Sequence, residues 1–135
     1  DVLASRRPAA PILPAMRAHV LTHVPVEGPG RFADLLRARG FDLAVVRGYA
    51  GEAVPAAVAT EDLVLVMGGP MGVGDVGSAQ HPFLAAEVAL LRRCLAEGIP
   101  VLGVCLGAQL LAHAAGARVS PNRRPDGSPA REVGW

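Results

Sequence analysis

Hydrophobic and polar positions divide this chain into short, nearly continuous apolar runs separated by stretches with helical spacing. Arg17-Ala-His-Val-Leu-Thr-His-Val24 and Phe41-Asp-Leu-Ala-Val-Val-Arg47 read as strands. Asp62-Leu-Val-Leu-Val-Met67 is almost wholly apolar, which predicts a third strand covered on both faces. A fourth run, from Ile99 to Cys105, is bounded by proline and glycine. Between the first two runs, Arg31 to Arg39 has amphipathic spacing closed by Gly40. Pro82 to Glu97 is the clearest helix: Leu84, Val88, Leu91 and Leu95 form one stripe, Pro82 suits the first turn and Gly98 the stop. Cys94 falls beside that stripe and reads as structural. A further helix is predicted from Leu106 to Ala115, ended by Gly116, then a short strand at Arg118-Val119, a polar loop from Ser120 to Pro129, and a strand beginning at Arg131. Strands alternating with helices predict an α/β fold with a mostly parallel sheet wound on both faces. Residues 1–15, interrupted by prolines, read as a flexible leader to a domain over 16–135.

Composition narrows the function classes. With 135 residues there is chain for one domain, and with 51% apolar residues there is enough to fill its core. A net charge of +1 offers no basic field for nucleic acid; the pairs Arg6-Arg7 and Arg123-Arg124 read as solvated. No run is long enough to span a membrane. Two widely separated cysteines do not make a disulfide scaffold, and a reducing, cytoplasmic setting suits them. The spacing of His19 and His23 on a strand does not converge on a metal, and no metal or cofactor is expected.

The chemistry concentrates where the fourth run ends. Gly103-Val-Cys105-Leu-Gly107 has the layout of a sharp strand-to-helix elbow, with small residues flanking a nucleophile. Side chains at the two glycines would collide where the strand doubles back into the helix. Cys105 would stand at a helix N-terminus, a setting in which backbone N–H groups and the macrodipole favour thiolate. Taken alone, it reads first as a buried, inert thiol at the end of a core strand. The third strand runs into Gly68-Gly-Pro-Met-Gly-Val-Gly74, which fits neither a dinucleotide loop nor a phosphate loop. Beside an elbow, such a loop can offer half of an oxyanion hole, the N–H after the nucleophile being the other half.

Gly68-Gly-Pro70, followed later by Gly103-Val-Cys-Leu-Gly-Ala-Gln109, resembles the class I, triad-type glutamine amidotransferases, and within them the stand-alone, GMP-synthase-like members. Pro70-Met-Gly-Val73, His81-Pro82 and Glu132-Val-Gly-Trp135 extend the likeness over about residues 16–135. The resemblance implies a flavodoxin-like fold, here C-terminally incomplete. It implies that Cys105 attacks the side-chain amide of glutamine, forms a glutamyl thioester and releases ammonia to a synthetase domain or subunit. The backbone N–H groups of Gly69 and Leu106 would hold the oxyanion, and Gln109 with Gly68 and Pro70 would seat the substrate. Gly103 and Gly107 would shape the elbow.

The family's proton acceptor is a His paired with Glu in a His-x-Glu motif after the elbow, and no His-x-Glu occurs in these residues. His113, eight residues past Cys105 on one helix, would lie ~12 Å along it, too far for direct transfer. His19 and His23 read as sheet-face residues and His81 as the start of a helix. This chain by itself is therefore expected to be inactive, and a truncated sheet would leave apolar surface uncovered. Two other readings share the fold. One is a noncatalytic, regulatory homologue that binds a partner. The other is a cysteine hydrolase or thiol-stress protein of the kind with His directly after the elbow cysteine, where this chain has Leu106.

Overall fold

A computed structural model describes residues 15–131; nearly all of the expected leader, and the Glu132–Trp135 motif with the strand expected there, lie outside the described residues. Strands β1 (Arg17–Thr22), β2 (Asp42–Arg47), β3 (Leu63–Val66) and β4 (Val101–Gly103) form one sheet in the order β2-β1-β3-β4. Every neighbouring pair is parallel. Helices α1 (Arg31–Ala38), α2 (Pro82–Glu97) and α3 (Leu106–Ala114) occupy the crossovers and the segment after β4.

The period of two along the strands decides which side chains meet which helices. Leu21, Val64 and Val66 turn into a core with Leu84, Val88, Leu90, Leu91 and Cys94 of α2 and Leu106 and Leu110 of α3. Val20, Leu65 and Met67 belong to a second cluster with Leu36 of α1 and Leu43. Each fully buried leucine contributes ~1.5–3 kcal/mol relative to exposure, so this two-faced packing fixes β3 in the middle. Pro82 opens α2 behind His81 at the N-cap, and Gly98 closes it at φ 70°.

Three sequence expectations need correction. First, β1 stops at Thr22 instead of Val24. Its ladders end at the Leu21–Val66 and Thr22–Arg47 registers, and Pro25 follows without an N–H to donate. His23 thereby leaves the strand. Second, Leu95 is 46% exposed, whereas Leu84, Glu87, Val88, Leu91 and Cys94 are buried. The buried face of α2 passes through Glu87 and Cys94, and Leu95 lies at its rim. Third, Arg118-Val119 forms no strand; beyond α3 the described chain is irregular apart from one antiparallel bridge, Arg123 with Pro129. Ala117, Arg118 and Ser120 are exposed and Val119 is only half-buried, so the segment lacks the apolar covering that would hold a strand against the sheet.

At the amino ends of the strands, His19 Nε2 lies 2.9 Å from Asp62 Oδ2. Asp62 also accepts the N–H groups of Arg17 (3.0 Å) and Ala59 (3.2 Å). Burial pushes the Asp62 carboxyl up, but His19 and the two amides outweigh it and hold it below its ordinary value. His19 is thus a latch between β1 and the entry to β3, at the opposite end of the sheet from the elbow.

Candidate active site

Because β3 and β4 are adjacent and parallel, with Val66 beside Gly103, their carboxyl ends deliver two segments to one place. One is the loop Met67-Gly68-Gly69-Pro70; the other is Val104-Cys105 at the start of α3. In open parallel sheets this end is where ligands bind. The Val104 N–H bonds the Val66 carbonyl at 2.9 Å, tying the elbow to the neighbouring strand.

Cys105 is the N-cap of α3 and has φ 52° and ψ −111°. Among the described residues it is the only non-glycine with positive φ. Such a conformation costs about 1–3 kcal/mol and persists only where the surroundings impose it. The two flanking glycines show what imposes it. A Cβ on Gly103 would come within 2.6 Å of the Gly107 carbonyl and the Ala108 nitrogen, and one on Gly107 would land on the Val66 carbonyl. The helix starts hard against its strand, and the turn between them projects Cys105 to the surface, where it is exposed. Cys94, the other cysteine, is buried; burial pushes its thiol up, as suits a core residue. Cys105→Gly, which removes the positive-φ penalty, is expected to melt above Cys105→Ala by a margin worth ~1 kcal/mol. Equal melting temperatures by calorimetry would contradict a strained elbow.

The glycine loop lies against that elbow. A Cβ on Gly68 would be 3.6 Å from Cys105 Cβ, and one on Gly69 would be 3.2 Å from Leu106 Cδ2. Neither the Gly69 nor the Leu106 N–H has a hydrogen-bond partner among the described residues. Pro70 is exposed, and the loop folds back where the Gly72 N–H meets the Asp75 carboxylate at 2.8 Å. One turn along α3, exposed Gln109 lines a cavity of about 340 Å³ with Gly72, Val73, Gly74 and the segment Val119–Asn122. The structure therefore brings together Gly68, Gly69, Pro70, Cys105 and Leu106, with Gln109 at the adjoining cavity.

Glu27 and Glu87, which the pattern of residues did not single out, join them, together with His23, which that pattern placed on a sheet face. Glu27 Oε2 stands 2.5 Å from where a Gly68 Cβ would be, so its carboxylate and Cys105 flank the same glycine. His23 is fully buried; its Nδ1 is 3.0 Å from the Gly68 carbonyl and its Nε2 is 2.8 Å from Glu87 Oε2, also fully buried. Burial pulls the imidazolium down, but Glu87, the Gly68 carbonyl and the charge of Glu27 together hold its pKa above the ordinary value. Signals for the pair were present: Glu87 occurs between Leu84 and Leu91 on the apolar face of α2, where a charge needs a partner. His113 is half-buried on α3, and no histidine hydrogen-bonds Cys105 among the described residues. Nor does any group of three His, Cys, Asp or Glu among them have the arrangement to hold a metal.

The family model for class I glutamine amidotransferases matches residues 31–134, which include the loop, the elbow and Gln109. The chain belongs to the class I glutamine amidotransferase family. It is 32% identical over 121 residues to the glutamine amidotransferase-like protein YfeJ of Salmonella typhimurium, an alignment covering 88% of this chain and 48% of that protein. It is 38% identical over 123 residues to imidazole glycerol phosphate synthase subunit HisH of Symbiobacterium thermophilum, covering 80% and 53% respectively. The fold is similar to a crystallised glutamine amidotransferase of Thermotoga maritima, with a TM-score of 0.66, 31% identity, and coverage of 77% of this chain and 44% of that one. The chain spans about half the length of these relatives. As a class I amidotransferase domain it has the family's flavodoxin-like architecture, a parallel sheet with helices on both faces. No helix among the described residues is long and apolar enough to cross a membrane.

Proposed function

We propose that this chain carries the attacking half of a glutaminase site. Cys105 Sγ adds to the side-chain carbonyl carbon of glutamine, and the carbonyl π pair moves to oxygen. The resulting oxyanion is held by the N–H groups of Gly69 and Leu106. The C–N bond then breaks, ammonia departs with a proton from a general acid, and the glutamyl group remains as a thioester on Cys105. Water hydrolyses the thioester, freeing glutamate and the thiol. Gln109, with Gly68 and Pro70, seats the substrate at the adjoining cavity, and ammonia passes to a synthetase domain or subunit. The observation that carries this reading is the strained, exposed Cys105 set against two backbone N–H groups that have no partner among the described residues. Removing one such donor typically costs about 10²–10³ in rate.

The proton acceptor for Cys105 is assigned to residues outside these 135. His19 is committed to Asp62 and His23 to Glu87 and Gly68, His81 is the N-cap of α2 with its ring against Phe83, and His113 is two turns down α3. Two experiments on the 135-residue chain test this reading. Incubated alone with glutamine, the chain should release no ammonia, while its Cys105 should still be alkylated by a glutamine-analogue electrophile. Steady ammonia release from the chain alone, lost in Cys105→Ser, would place the acceptor within it.

A further inference from the structure

The orientation of one peptide unit decides whether the glycine loop can serve an oxyanion. The Gly68 carbonyl and the Gly69 N–H belong to the same peptide group, and the described chain contains no cis bond. In a trans peptide the C=O and N–H point in opposite directions. Whatever holds the Gly68 oxygen therefore aims the Gly69 hydrogen. That oxygen accepts from His23 Nδ1 at 3.0 Å, in a fully buried position. A carbonyl can only accept, so Nδ1 carries a proton; Nε2 is matched by the Glu87 carboxylate at 2.8 Å. The ring is also confined sideways: a Cβ on Gly69 would be 3.0 Å from His23 Cβ, and the Phe83 ring lies 6.1 Å from the imidazole centroid.

We infer that the buried His23–Glu87 pair is a brace that keeps the Gly68–Gly69 peptide from flipping and so aims the Gly69 N–H outward, to the side where Cys105 stands. His23 touches neither substrate nor thiol; it is a positioning residue that acts through one carbonyl. Glycines on both sides of this peptide leave its φ and ψ otherwise free, which is why a brace is needed there. Burial of an ion pair is poor evidence for stability, since apolar replacements are often neutral or better. A requirement for a fixed peptide gives this pair a different reason to exist. The inference rests on the glutaminase reading only for its kinetic consequence.

Removing His23 alone would strand a buried carboxylate, already with one oxygen unpartnered among the described residues, so the test uses double variants of the complete natural polypeptide. His23→Leu with Glu87→Leu removes both charges and the donor to Gly68. His23→Asn with Glu87→Leu removes both charges but keeps a side-chain N–H for the Gly68 carbonyl. The first should lose on the order of 10²-fold in kcat for glutamine, the scale of one oxyanion donor, with KM nearly unchanged. The second should recover at least about a tenth of the wild-type kcat, so that the loss tracks the donor and not the charge. Alkylation of Cys105 by iodoacetamide, a displacement with no tetrahedral oxyanion, should be nearly the same in wild type and both variants. An unchanged kcat in the first variant, or kcat and alkylation falling together, would overturn the brace. If the wild-type polypeptide hydrolyses no glutamine, the glutaminase reading fails. The brace is then judged by an NMR coupling across the hydrogen bond between His23 Nδ1 and the Gly68 carbonyl carbon: its presence supports the geometry and its absence overturns it.

Discussion

Gly107→Ala is expected to leave little or no cooperatively folded protein. The added Cβ meets the Val66 carbonyl, in the last residue of the central strand, and the Val66 Cβ at 2.9 Å. Both are fixed by the β1–β3 and β3–β4 ladders, so neither can swing away as a flexible side chain would. Ordinary overpacking costs about 1–3 kcal/mol where neighbours can adjust; here the helix must back off its strand, and the cost exceeds that range. Since ~1 kcal/mol moves the midpoint of a domain this size by a few degrees, calorimetry should show a fall on the order of 10 °C or loss of the transition. Gly74→Ala is the control: nothing lies within 4 Å of its added methyl and its φ is not in the left-handed region. A Gly107→Ala protein that melts with wild type would show that α3 does not rest on β3 as described.

Cys105→Ser in the complete natural polypeptide is expected to lower glutamine hydrolysis on the order of 10³-fold or more, because a serine hydroxyl is far less nucleophilic than a thiolate at neutral pH. The substitution should scarcely touch the melting temperature. Cys105 is exposed and makes no side-chain hydrogen bond among the described residues, and serine differs from it by one atom. Wild-type ammonia release from the serine variant would remove Cys105 from the chemistry, whereas no release from the wild-type polypeptide would favour the noncatalytic, partner-binding reading of the site.

Much of this was legible in the residues themselves. Leu63 to Val66 had to be central because it is apolar on both faces, and Pro82 with Gly98 fixed both ends of α2. The elbow was legible because Gly103 and Gly107 bracket one cysteine, and the backbone that a Cβ would strike gives the physical reason for each glycine. What could not be read was pairing at a distance. His23 meets Glu87 across 64 positions and the Gly68 carbonyl across 45, and periodicity says which face a residue takes without saying what waits there. Extending β1 to Val24 hid His23 on a sheet face, although Glu87 in an apolar stripe announced that some buried partner existed. Glu27 was illegible for another reason: an acid in a Pro/Gly loop reads as solvated until the fold brings Gly68 beside it. Leu95 misled because a 4-3-4 pattern fits two adjacent faces of a helix, and only packing chose the one through Cys94.

In the proposed reaction the glutamyl group passes covalently through Cys105. The direct measurement is intact-protein and peptide mass spectrometry of the complete natural polypeptide, quenched in acid during steady turnover of glutamine. A glutamyl adduct is expected on the peptide bearing Cys105, lost on treatment with hydroxylamine and absent from Cys105→Ala. Sustained ammonia release with no adduct at Cys105, undiminished in Cys105→Ala, would contradict it.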